Sequence, residues 1–428
     1  MTLTSDQRRV VGVYLTTSGL FTLATSLIWA VNTLFLLGAG LDIFQVMLVN
    51  TTYTVGQIVF EVPTGVIADT VGRKASLLLG IGTLLLSTLL YVAGATAAWG
   101  MPAFLAASVL LGLGYTFQTG AADAWLVDAL DHAGWPGGKE RVFAWGQMTF
   151  GSAMLAGTLL GGALGQMNLA FPYYARSGIL ALCFLATMLM LRDWGFTPRP
   201  LRASNFAEET RAILTAGVRY GWRDPVVRPL LFVSLIQGVF FMFAFYTSQP
   251  FFLELLGMQL IWVVAAVQAA SAVVGIVGNS LVDRVMRAGD RRRRAGVVLA
   301  VITVAQGLLA LAIASVGLLV PVAQRGVPVF AAAAVLWLLF SGLMGVGGPV
   351  RQAFINEQIP SAQRATVLSV DALFGDVGGS VGQPALGYLA KAVSIPAGWA
   401  VGAIALLVSS PLYLTADRHV ATRPSAGE

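Results

Sequence analysis

Charge is scarce in this chain. Asp, Glu, Lys and Arg make up 11% of its 428 residues, against 57% hydrophobic ones. Average globular domains carry ~25% charge, so a soluble fold is excluded. Cysteine is almost missing: Cys183 stands alone inside an apolar run. One thiol excludes an intrachain disulfide and a thiolate metal cluster. The two histidines, His132 and His419, fall in charged segments, which argues against a His-based metal site. No G-x-x-x-x-G-K-[ST] loop occurs, so no nucleotide-driven motor is expected. Nothing calls for a cofactor or a metal. The net charge of +6 tempts a nucleic-acid reading. The basic residues flank apolar runs, however, and membrane topology explains them without any nucleic acid.

What is abundant is long apolar runs, with a mean hydropathy of +0.78. A spanning helix takes ~20 such residues. The runs predict an all-α membrane protein with twelve transmembrane helices at 10–37, 43–69, 76–98, 102–130, 143–166, 172–192, 229–256, 260–286, 295–319, 327–350, 363–391 and 395–415. The first run is too long for a cleaved signal peptide and lacks a small-residue cleavage site, so it is expected to stay as helix 1. Twelve spans put both termini on one side. Of the 26 Lys and Arg residues, all except Arg176, Arg325 and Lys391 fall on that side, which makes it the cytoplasmic one. The expected location is the cytoplasmic (plasma) membrane, and nothing demands more than a monomer.

The spans divide into two pseudo-symmetric six-helix halves, 1–192 and 229–428, joined by a cytoplasmic linker over 193–228. In the linker Ser204 suits a helix cap, and Phe206, Ile213, Leu214, Val218 and Trp222 suit one apolar stripe, so a short helix along the membrane surface is expected. Internal echoes support a duplication. Asp69 recurs as Asp283, half a chain later; AWLVD (124–128) is echoed by AFINE (353–357), and GTLLGGALG (157–165) by GSVGQPALG (379–387).

The stretch EVPTGVIADTVGRK, residues 61–74, is a polar knot between two spans. Its spacing G-x-x-x-D-x-x-G-R-K resembles the signature loop between helices 2 and 3 of the major facilitator superfamily of secondary transporters. Gly65, Asp69, Gly72, Arg73 and Lys74 match that pattern, and Thr70 departs from its usual basic residue. The resemblance implies a cytoplasmic gate in which the loop joins an acidic residue on helix 4, here Asp128, and the start of helix 11, here Arg364, with Asp371 at the inner rim. Through the repeat, Asp283, Arg284 or Arg287, and Glu357 would form a mirror gate; solvated loop charges are the other reading of that set.

Intramembrane charge costs ~3 kcal/mol on insertion scales, so each such residue asks for a role. Asp376 falls near the midplane of helix 11, on one face with Ser369, Ser380 and Gln383. Glu61 lines up with Asn50, Thr54, Gln57 and Thr64 on helix 2, and Asp123 lies on helix 4. These three carboxylates are the proton-coupling candidates; buried hydrogen bonding for packing is the alternative. In the resembled superfamily, helices 1, 4, 7 and 10 line the cavity. Substrate-cavity candidates are therefore Trp29, Asn32, Tyr115, Gln118, Gln237, Tyr246, Gln249 and Trp337, with Gln57 from helix 2. Aromatics and amides with few charges suit small amphipathic molecules.

The drug:proton antiporters of that superfamily carry an Arg on helix 4 in R-x-x-x-G; here Thr116 precedes Gly120. Their helix 5 carries G-P-x-x-G-G; here Gly157, Gly161 and Gly162 fit, and Thr158 replaces the proline. The resemblance implies a proton-coupled exporter of amphipathic compounds, not an enzyme. An importer or uniporter of a small polar nutrient is the alternative on the same fold. A membrane-embedded enzyme or sensor is the alternative of another class, without a nucleophile, His pair or metal set to support it.

Overall fold

The computed structural model describes residues 3–198, 211, 215, 217–257, 259–286, 291–359 and 364–422. Among them every regular element is helical. The chain divides into two compact units. The first is built mainly from residues up to 209 and includes 261–266; the second is built mainly from 210 onward and includes 42–51.

The first unit holds α1 (Ser5–Ser26), α2 (Asn32–Gly38), most of α3 (Ile43–Val71), α4 (Arg73–Thr96), α5 (Met101–Thr116), α6 (Ala121–His132), α7 (Glu140–Met167) and α8 (Phe171–Met190). The second holds α9 (Val227–Leu256), most of α10 (Ile261–Ser280), α11 (Val282–Met286), α12 (Arg291–Leu319), α13 (Val327–Gln358), α14 (Arg364–Ala392) and α15 (Ile395–Ala421), preceded by a π-helical turn at Gly217–Trp222. Helix starts follow local chemistry. Thr4 and Gln7 form a reciprocal capping box at α1, and Asp42 and Gln45 form another at α3.

Each unit packs by the same rule. In the first, α1 lies on α7 and α8, and α4 on α5 and α8. In the second, α9 lies on α14 and α15, and α12 on α13 and α15. Glycines make the closest of these approaches. A side chain at Gly161 of α7 would run into the Leu27 carbonyl, and one at Gly378 of α14 into the Leu235 carbonyl.

Among the described residues, ten helical stretches are long and apolar enough to cross a membrane. Two expected spans are missing from that set. The first, 10–37, breaks over Leu27–Val31. There the Thr25 and Ser26 hydroxyls bond the Thr22 carbonyl at 3.1 and 2.7 Å and compete with the backbone ladder. The other is α14, which carries Asp371, Asp376, Lys391 and Gln383. The expected span 102–130 is also interrupted, at Phe117–Gly120. Thr116 bonds the Leu113 carbonyl at 2.9 Å, and Gly120 takes a φ of +71°.

Candidate functional site

The polar knot after residue 61 is shorter than a loop. Helix α3 runs through Asp69 to Val71, and α4 begins at Arg73, so Gly72 alone makes the turn, at φ +124°. Asp69 and Arg73 pair at 2.5 Å, and Arg73 Nε lies 4.0 Å from Asp128 on α6. The segment after α8 clamps this corner. The Asp193 carboxylate accepts the Lys74 amide at 2.8 Å, and Lys74 Nζ donates to the Met188 carbonyl at 2.7 Å. Arg73 sits over the Phe196 ring, and Trp125 donates to the Arg192 carbonyl. Beneath lies an apolar core that includes Val10, Leu77, Trp125, Leu126 and Leu130. Gly65 is exposed on α3.

A cavity of about 410 Å³ opens in the first unit. Phe21, Trp29, Tyr115, Phe150 and Gln118 line it, together with Asp123, which accepts a hydrogen bond from Tyr14 at 3.2 Å. Trp29 belongs to the turn that interrupts the first span, and Gln118 to the one between α5 and α6. Both helix breaks therefore border the cavity. Glu61 is exposed on α3, and both its oxygens accept from the Thr119 hydroxyl at 3.2 Å. Asn32 is buried and accepts from the Tyr173 hydroxyl at 2.9 Å. Gln57 is half-buried on α3.

A second cavity, of about 350 Å³, lies in the second unit. Its wall includes Ser234, Gln237, Thr303, Gln306, Arg351, Asp371, Asp376 and Tyr413. Asp371 is 8% exposed. Arg351 grips it with both ends of its fork, at 2.7 Å each, and also donates to Ser234 at 2.5 Å and to the Leu230 carbonyl at 3.2 Å. Ser234 donates to Asp371 at 2.7 Å, and Gln237 to Thr303 at 3.3 Å. Such a bidentate pair is fixed in geometry as well as in charge.

Other expected site residues lie apart from these groups. Trp337 stacks on Phe340 in an aromatic cluster with Phe252 and Trp399. Gln249 is fully buried, and Tyr246 packs edge-on against Phe245. Arg364 opens α14 and donates to the Asn356 carbonyl, while Asp283 and Glu357 are exposed. Arg287 lies outside the described residues, as do the expected linker cap Ser204 and the stripe residues Phe206, Ile213 and Leu214.

Three residues escaped the sequence reading. Arg351 was counted with the cytoplasmic loop, yet α13 continues to Gln358. The signal was there: Val346, Val350 and Phe354 repeat every four residues and are all buried. Arg176, counted at an outer helix end, is fully buried and bonds Thr88 at 3.0 Å and the Thr25 carbonyl at 3.4 Å. It shares a buried face of α8 with Tyr173, Leu180, Cys183 and Thr187. Asp193 gave no signal, because a contact across more than a hundred residues leaves no local pattern.

The family model of the Major Facilitator Superfamily matches residues 14–323. No curated protein matches the chain by sequence. Solved structures share its fold at low identity. A bacterial homolog of the human lysosomal transporter Spinster, inward-facing and unoccupied, aligns at TM-score 0.75 and 13% identity over 100% of both chains. The nucleoside transporter NupG gives 0.74 at 11% identity, over 96% of this chain and 99% of its own. A POT family transporter in complex with 5-aminolevulinic acid gives 0.74 at 15%, over 96% of each. The matched stretch is well over half of the 428 residues, and this chain is an integral membrane protein belonging to the major facilitator superfamily of transporters.

Proposed function

We propose that the chain is a proton-coupled exporter of small amphipathic molecules, of the drug:proton antiporter type, working by alternating access of two six-helix halves. Ten apolar stretches, the broken pair α1–α2 and the polar α14 make up the twelve spans. The halves are 1–192 and 229–428, with 193–228 as a cytoplasmic linker. Both termini face the cytoplasm, the membrane is the plasma membrane, and the unit of function is a monomer. Asp69, Arg73, Lys74 and Asp128 serve the cytoplasmic gate.

One observation carries this reading. The cavity of the first unit is walled by Phe21, Trp29, Tyr115 and Phe150, with Asp123 among them. Aromatic faces hold an apolar body and attract a cation, and the carboxylate takes either that cation or a proton. Competition for one acid is the simplest form of exchange. Asp376 and Glu61 are the other acids available to it. One pH unit supplies ~1.4 kcal/mol, and 100 mV across one charge ~2.3 kcal/mol.

The test is dye accumulation. Cells making the protein should hold less ethidium than controls, and a protonophore should abolish the difference. Equal accumulation of ethidium and other amphipathic cations in both cell types would sink the reading. A second reading, import of a small polar nutrient, is favoured by the hydrogen-bonding wall around Arg351 and Asp371. Solved structures of the same fold include a nucleoside transporter and a peptide transporter. Uptake of a labelled nucleoside or dipeptide, unaccompanied by dye export, would decide for it.

A further inference from the structure

Arg176 is fully buried in the first unit, and neither cation export nor an apolar core gives a guanidinium there a task. We infer that Arg176 and Tyr173 are positioning residues of the cargo site: they brace the break between α1 and α2 from both sides, and the braced break sets Trp29 in the cavity wall. This rests on the reading of that cavity as the place where an amphipathic cation binds, and it names what fixes the cavity's preference for aromatic cargo.

A helix that ends leaves its last carbonyls without amide partners. At the end of α1 the Trp29 amide turns to the Ser26 carbonyl, at 3.1 Å. The Thr25 carbonyl accepts from Arg176 Nη1, at 3.4 Å. A cation suits that end of a helix, where the backbone dipoles leave partial negative charge. Arg176 Nε donates to the Thr88 hydroxyl at 3.0 Å, and Thr88 donates to the Leu84 carbonyl at 2.7 Å, so the guanidinium is also anchored to α4. Three residues earlier on α8, the Tyr173 hydroxyl donates to Asn32 Oδ1 at 2.9 Å, and Asn32 is the first residue of α2. One face of α8 thus grips the last turn of α1 and the first residue of α2, with the break between them. The Tyr173 ring is itself held, 4.1 Å from Phe35 and stacked 5.9 Å from Tyr91, which shares a 2.5 Å hydrogen bond with Ser108.

What the brace sets is one side chain. Leu27, Ile28, Ala30 and Val31 are buried, whereas Trp29 is half-buried and lines the cavity with Thr22 and Thr25. A stretch outside the helical ladder has few bonds of its own, so the aim of the Trp29 ring depends on the two points at which α8 holds its flanks. The cost of the arrangement also argues for a use. Arg176 pairs with no carboxylate among the described residues, and its Nη2 has no hydrogen-bond partner there. A cation buried in that way is expensive, and an apolar side chain of like volume would fill the space at no loss of stability. Packing alone therefore does not account for it.

Full-length protein in detergent tests the inference in two ways. Hydrogen exchange needs no ligand. Arg176→Met and Tyr173→Phe should each speed exchange at the amides of Trp29, Val31 and Asn32 and leave those of α6 at their wild-type rates. Binding then reads the Trp29 ring. The probes are tetraphenylphosphonium and tetrabutylammonium, cations of equal charge of which only the first carries rings. Arg176→Met should weaken tetraphenylphosphonium about tenfold and tetrabutylammonium less than about twofold, because stacking on Trp29 is what is lost. Trp29→Ala should do the same, and the double variant should be no worse than Trp29→Ala alone. Arg176→Lys, which keeps a cation for the Thr25 carbonyl, should recover part of the loss. Unchanged exchange at the break in both α8 variants overturns the brace. Equal weakening of the two cations, or losses that add in the double variant, overturns the positioning of Trp29. If neither cation binds the wild-type protein, the export reading falls, and the exchange rates still decide whether α8 braces the break.

Discussion

The two units repeat one packing plan and line their cavities with different polar groups. In the first, both helices that correspond to cavity-lining spans are interrupted, at Leu27–Val31 and at Phe117–Gly120. In the second, their counterparts α9 and α13 run unbroken, as does α14. A break inside the bilayer is tolerated where it lines a cavity. The first cavity mixes the rings of Tyr14, Phe21, Trp29, Tyr115 and Phe150 with hydroxyls and amides such as Thr17, Thr22, Gln118 and Gln147, and with the carboxylate of Asp123. The second cavity adds a guanidinium and two carboxylates to its hydroxyls and amides, through Arg351, Asp371 and Asp376 beside Ser234, Gln237, Thr303 and Gln306. What the repeat preserves is therefore packing, while polar groups are redistributed within it. The last helix of each unit shows the same exchange. About one turn in, α8 buries Arg176 and α15 buries Trp399, both fully.

The widest gap in this comparison is thermodynamic. Arg351→Met leaves the buried Asp371 carboxyl without its charged partner, and breaking such a pair costs about 3–5 kcal/mol. Melting of the purified protein should register that loss, and Asp371→Leu in the same chain should recover most of it. Arg176 is the contrasting case. It pairs with no carboxylate among the described residues, and its Nη2 has no hydrogen-bond partner there. Arg176→Met removes a desolvated charge and fills similar volume, so the melting temperature should stay or rise. If Arg176→Met destabilises as much as Arg351→Met, the two buried arginines play the same part and the contrast fails.

How far the sequence reaches is visible in those same residues. Hydropathy located the apolar runs because bilayer insertion depends on summed transfer energy along a window. It could not see the helix breaks, which turn on single hydroxyls such as Ser26 bonding a carbonyl one turn back. It ended helix 10 at a charge, although the apolar period continues past Arg351 to Phe354. The hairpin motif around Gly72 could be read because its residues are contiguous. Asp193, which caps the following helix, could not, since no local spacing connects it to Lys74.

Close packing offers a narrower test of the shared plan. Gly161→Val and Gly378→Val each drive a side chain into a backbone carbonyl of the neighbouring helix. Overpacking of that kind costs about 1–3 kcal/mol. Equal losses of melting temperature would support equivalent roles for the α1–α7 and α9–α14 seams. A loss confined to one variant would show that the seams differ. The clamp on the gate should matter less. Asp193→Ala removes a helix cap worth ~1 kcal/mol. Faster hydrogen exchange at the amides of Lys74 to Ser76, with little change in global melting, is the expected result. A change in global melting as large as that of Gly161→Val would contradict a local role.

The smallest effect expected is a surface one in the second unit, where Lys391 lies 2.8 Å from Asp42, with 51% and 35% of the two side chains exposed. Burial alone would raise the Asp42 pKa. The Lys391 hydrogen bond and charge, with the amides of Gln45 and Phe44, outweigh it and hold the carboxyl below its ordinary value. A depressed carboxyl stabilises the fold above its unfolded pKa, ~4, and that contribution drains away as pH falls through the folded value. The melting difference between wild type and Asp42→Asn should thus be present at pH 7 and vanish in acid. Salt should shrink it further, because exposed pairs are screened. A difference that grows on acidification would reverse the sign of the argument. It would also leave the capping box with Gln45, which Asn can still supply through its side-chain oxygen, as the whole of what Asp42 contributes.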